Sequence, residues 1–222
     1  MRFVRDTRHL LAAAPIVIVM AGCASPKPLP YSGIASSSAM TPNTRTDDAR
    51  TPYAYVTPVD WQKYKSMVVE PVAIYRGPDQ QFGEMSNEDK AELARYMHSE
   101  FSTKLRTRFT LTGNSGAPDA LRLKLTLTGA GTTSTVLGPF LHFDIAGNLY
   151  NGVQAVRGRE GALTGYVMYS VEIFDAQSNK LLKSYVTKQY PNAMNIVAAF
   201  GSLTAAKTGI DKGADSLVAD LR

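Results

Sequence analysis

Residues able to do chemistry are few in this chain. The one cysteine in 222 residues, Cys23, follows Ala21-Gly22 at the end of an apolar run from Leu10 to Met20. A thiol there can accept an acyl or alkyl group, but it has no internal partner for a disulfide. Glu172 falls on one side of a strand pattern with Tyr166, Met168 and Ser170. To act as a catalytic acid it would need a second titrating group or a nucleophile beside it, and none can be placed from spacing. His98 lies off the apolar stripe of a helix and reads as a surface side chain. Gly129-Ala-Gly131 follows a strand yet lacks the third glycine, the helix start and the later acid of a dinucleotide loop. Gly-x-Ser-x-Gly, His-Glu-x-x-His and paired cysteines do not occur. The expectation is a protein that is not an enzyme, with no catalytic residue, no metal and no diffusible cofactor.

Cys23 draws its meaning from what precedes it. Arg2, Arg5 and Arg8 form a basic start, the apolar core follows, and Ala21 and Gly22 are small enough to flank a peptidase site, the order of a secretory signal. The apolar run is far shorter than the roughly 20 residues that cross a hydrocarbon core of about 30 Å. Met20-Ala21-Gly22-Cys23 resembles the bacterial lipobox. That resemblance implies a diacylglycerol on the Cys23 sulfur, removal of residues 1–22 and acylation of the new amino end. Two or more acyl chains anchor a protein stably, since each buried CH₂ contributes about 0.8 kcal/mol. Ala24, where the similar enteric sorting rule places aspartate for inner-membrane retention, leans towards the outer membrane. The expected location is the cell envelope, lipid-anchored and facing the periplasm.

The elements that would position any site begin after a spacer. Residues 23–58, with Pro26, Pro28 and Pro30, then Ser36-Ser-Ser38, are poor in core residues and read as a Pro/Ser/Thr-rich tether. Tyr31, Tyr53 and Tyr55 are odd for a linker and suggest that parts of it lie against the domain. Residues 59–222 read as one domain. Met67 to Tyr75 is β-branched and predicts a strand, with Pro71 at an edge or irregular start. Ser86 and Asp89 suit a helix start, and Ala94, Met97, Phe101 and Leu105 form one buried stripe. Leu121, Leu123, Leu125 and Leu127 alternate with Arg122, Lys124, Thr126 and Thr128, which predicts one packed sheet face and one wet one. Leu163 to Phe174 and Leu181 to Tyr190 read as a hairpin across Asp175–Lys180. Ile196 to Leu221 carries a helical stripe after Asn192, in which Gly201, Gly209 and Gly213 weaken the helix and allow close packing on the sheet. The fold class expected is α+β: a two-layer sandwich of a mostly antiparallel sheet of about five strands, with two main helices on one face.

Composition narrows the partners. Residues 1–22 hold three arginines and Asp6, so residues 23–222 carry 21 Lys and Arg against 18 Asp and Glu, a charge of +3. Scattered cations of that excess make no nucleic-acid footprint. The Gly-rich stretch from Gly129 to Gly161 contains Phe140, Leu141 and Phe143, candidates for contact with a partner.

Several short stretches together resemble a known family: the lipobox, Tyr31-Ser-Gly33, Val69-Glu-Pro-Val72, the leucine-alternating strand from Asp119, and Val171-Glu-Ile-Phe-Asp175 before a hairpin. They are similar to the bacterial lipoprotein family called domain of unknown function 3313. The resemblance implies a secreted lipoprotein and brings no activity or catalytic residue with it. Two functional classes follow. One is a non-catalytic, lipid-anchored accessory domain that meets the membrane through its anchor and docks on another envelope protein. The alternative is a small-ligand-binding protein or hydrolase whose site is assembled from distant residues.

Overall fold

Leucine alternation becomes the spine of the structure. The computed structural model describes residues 26–44, 50–114, 116–132, 165–192 and 203–222. In chain order its elements are β1 (Thr41–Pro42), β2 (Tyr53–Val56), β3 (Ser66–Val69), β4 (Ala73–Ile74), α1 (Asn87–Leu105), β5 (Thr110–Leu111), β6 (Ala120–Gly131), β7 (Tyr166–Asp175), β8 (Leu181–Gln189) and α2 (Thr204–Asp220). The four leucines of β6 are fully buried on one sheet face. They meet Leu93, Met97, Phe101 and Leu105 of α1 and Ala206, Ile210, Ala214 and Leu217 of α2 in one core. The α+β class and the placement of both helices on this face follow from the two periodicities.

The sheet is larger than expected, with eight strands among the described residues in the order β1-β2-β8-β7-β6-β3-β5 and β4 also paired to β6. Two causes account for the difference from about five. Pro71 has no amide to give a ladder, so the expected single strand divides into β3 and β4, each parallel to β6. Residues 41–42 and 53–56, assigned by composition to the tether, form β1 and β2, which pair antiparallel with each other, and β2 pairs antiparallel with β8. There Ala54 packs on the helix-side core while Tyr53 and Tyr55 pack on the opposite face.

Helix boundaries have local causes. The Ser86 hydroxyl accepts the Asp89 amide at 3.0 Å, and Glu88 and Asp89 occupy the first turn of α1, where the dipole favours anions. Lys207 pairs with Glu92 at 2.6 Å, Tyr96 donates to Asp211 at 2.8 Å, and Lys104 pairs with Asp215 at 2.8 Å. These contacts advance in the same direction along both helices, so α1 and α2 run parallel. Gly209 lets α2 approach the sheet: a Cβ there would stand 2.8 Å from the Gln189 carbonyl oxygen. Trp61 begins a short 3-10 turn capped by Asp60 and packs on the core margin.

Candidate functional site

The face of the sheet turned away from the helices was expected to meet water. Instead it is covered. Thr126, Thr128, Ser170, Glu172 and Ser184 are all buried there, beneath residues 26–40. A spacer of that length would have stood off the body, but this segment folds back as a strap because it carries side chains that the sheet face can hold. Tyr31, Ile34 and Met40 make a second small core with Tyr75 and Val186.

The strap is fastened along its length. Lys188 donates its ammonium to the Pro26 carbonyl at 3.2 Å, and Gln81 donates its amide to the Lys27 carbonyl at 3.0 Å. The Tyr31 hydroxyl donates to Gln81 Oε1 at 2.6 Å, and its ring meets Tyr75 edge-on at 5.5 Å. Tyr31 holds φ at 48°, a left-handed value that costs a non-glycine residue on the order of 1 kcal/mol and is offset here by burial. The Ser32 amide donates to Asp79 at 3.0 Å and the Gly33 amide to the Tyr75 oxygen at 3.0 Å. The Tyr31-Ser-Gly33 stretch thus grips the segment between β4 and α1. Burial pushes the Tyr31 phenol up to about 12, and the hydroxyl of Tyr75, at 2.6 Å, holds the Asp79 carboxyl below its usual range.

At its centre lies a cluster with catalytic residue types. The Ser36 amide donates to Glu172 Oε1 at 2.9 Å, Lys124 Nζ stands 3.4 Å from Glu172 Oε2, and the Ser184 hydroxyl donates to Ser36 Oγ at 2.7 Å. A serine, a carboxylate and a lysine could in principle form a nucleophile with its base. Here the carboxylate takes the backbone amide of Ser36 and not its hydroxyl. Ser36 itself is 4 % exposed, so a substrate cannot reach it while the strap is seated. The Ser170 hydroxyl lies buried next in the row with no hydrogen-bond partner among the described residues. The arrangement can fasten a backbone segment through a charge-assisted hydrogen bond, worth about 1.5–3 kcal/mol.

A second feature lies on the helix side, where α2 does not reach β2. A cavity of about 270 Å³ opens between Val56, Tyr169, Tyr185, Thr187, Ser216 and Asp220. Lys183 pairs with Asp220 at its rim at 2.9 Å, and burial raises the phenols of Tyr169 and Tyr185.

The structure brings Glu172 together with Ser36, Ser184 and Lys124, three residues that sequence reasoning did not join to it. The tyrosines of the supposed linker were the available signal. Arg122 pairs with the Glu70 carboxylate and with Asn179, and His98 lies half-buried on α1. Cys23, Ala21 and Gly22, and the candidate contacts Phe140, Leu141 and Phe143, fall outside the described residues. No group of three or more His, Cys, Asp or Glu could hold a metal among the described residues.

Fold and site together define an α+β domain whose own N-terminal segment seals the polar face of its sheet. The chain belongs to the family described as Protein of unknown function (DUF3313), whose model matches residues 30–217. A search among curated proteins finds no match. Among solved structures, it is similar to a leucine-to-methionine variant of the PelC dodecamer from Paraburkholderia phytofirmans, at 11% identity and a TM-score of 0.39, over 74% of this chain and 93% of that one. It is also similar to the hypothetical protein CT253 from Chlamydia trachomatis, at 9% identity and a TM-score of 0.35, over 70% of this chain and 94% of that one. Likeness at these scores carries no argument about what the chain does.

Proposed function

We propose that this chain is a lipid-anchored, non-catalytic accessory domain of the cell envelope, attached through Cys23 and docking on another envelope protein. The observation that supports this reading is the seating of the strap. Its contacts consume the buried Ser36–Glu172–Lys124 cluster in holding the N-terminal segment. The segment begins at Pro26, separated from Cys23 by Ala24 and Ser25 alone. The anchor therefore joins the folded body through about 10 Å of chain, where a spacer of the expected length could have reached on the order of 100 Å.

Cys23→Ala is expected to abolish acyl labelling and membrane retention, measured by radiolabelled fatty acid and by fractionation; a variant still labelled overturns the anchor. Docking is tested by crosslinking in intact cells. One defined protein should be captured by the native chain and lost with Phe140→Asp or Phe143→Asp, while circular dichroism stays native. Capture of the same protein by both variants removes those residues from the contact.

The helix-side cavity beside Tyr185 favours a second reading, a small-ligand-binding protein. A ligand that raises the melting temperature of the native protein, but not that of Ser216→Trp, would support it.

A further inference from the structure

The strands of β6 and β8 end, and β7 begins, at one end of the sheet. Pro26 is tied there, through Lys188 near the end of β8. Gln81, which holds Lys27, bridges Gly129 near the end of β6. The opposite end carries the Asp175–Lys180 hairpin and the 3-10 turn at Trp61. Two large hydrophobic side chains are markedly exposed among the described residues: Val56 at 51 %, opposite Lys183 at the end of β2 further from the tie, and Leu29 at 40 %, three residues after the tied Pro26. Exposed Lys27 precedes Leu29.

We infer that this end of the sheet faces a phospholipid surface, with Lys27 and Leu29 as its first contact and the strands standing away from the bilayer. The inference rests on the anchor proposed above and goes further by fixing which surface meets the lipid. An acylated Cys23 sits in the interface, so about 10 Å of chain keeps Pro26 against it. Leu29 then loses water to the acyl boundary and Lys27 remains among the headgroups, the division that amphipathic side chains adopt at an interface. The outward residues of the strap itself, Ser32, Gly33, Ala35 and Ser38, are exposed, and they offer lipid no comparable apolar group. The far end of β6, twelve residues away, stands about 40 Å off.

The lone cysteine makes the test clean, because acylation at Cys23 consumes the native thiol. The full lipoprotein is reconstituted in phosphatidylcholine vesicles containing a nitroxide-headgroup lipid, and a maleimide fluorophore is attached at one introduced thiol. Thr132→Cys and Glu84→Cys report the tied end; Gln62→Cys and Lys180→Cys report the far end. All four positions are exposed. The expected result is loss of fluorescence at 132 and 84 with none at 62 and 180. Even or reversed quenching in an acylated, vesicle-bound protein overturns the orientation and leaves the anchor standing. If the chain without an introduced cysteine reacts with the maleimide and fails to float with the vesicles, the anchor is refuted and the orientation falls with it.

Discussion

Glu172 is the residue on which the covered face turns. It is fully buried, accepts the Ser36 amide and faces Lys124, so removing it leaves a donor and a cation without their acid. Glu172→Ala is expected to cost about 2–3 kcal/mol, read as a lower denaturation midpoint, whereas Glu172→Gln, which keeps an acceptor for Ser36, should lose about 1 kcal/mol. Tyr31 gives the strap a dependence on alkali. Burial disfavours the phenolate and pushes the Tyr31 hydroxyl from the ordinary 10.0 up to about 12. The protonated form is thus the folded one: its contribution is complete below pH 10 and is lost as pH rises through 12. Circular dichroism should record falling stability across that window, to which the likewise raised phenols of Tyr64, Tyr96, Tyr169 and Tyr185 also contribute, and Tyr31→Phe should lessen the fall while lowering stability at neutral pH through the lost bond to Gln81. The position of Glu172 on a strand face was legible from period two. Its partners were not, because Ser36 lies 136 residues away and a cross-chain contact leaves no periodic trace.

At the scale of elements, the approach of α2 to the sheet is limited by glycine. At Gly209 an added methyl group would meet the backbone of Gln189, which cannot move without breaking the β7–β8 ladder. Gly209→Ala is expected to destabilise by about 1–3 kcal/mol in thermal melts, while Gly113→Ala, where nothing stands within 4 Å, changes little. The close packing itself was legible from glycines within an apolar helical stripe, as were α1, the β6 alternation and the β7–β8 hairpin. β1 and β2 escaped for a physical reason. Strands of two and four residues are too short to display a period, and neighbouring prolines and threonines dominate the local composition. The wet-face expectation failed from the same blindness, since a polar strand face predicts water only when no other segment supplies matching donors and acceptors.

For the whole molecule, the strap is a third partial layer and not a tether. A chain lacking residues 26–40 would uncover Tyr75, Val186 and Glu172, and is expected to bind a hydrophobic dye more strongly and to melt at a lower temperature. Unchanged dye binding and melting would mean that the sheet does not depend on its cover. The layer also imposes an order of assembly. The strap is made well before the residues it fastens to, Met168, Glu172, Ser184 and Lys188, which come from 136 to 162 residues later. Closing loops of that length is entropically costly until both strands of the hairpin exist. The strap can therefore be seated only after β7 and β8 have been made, and until then the polar row of the sheet stays wet.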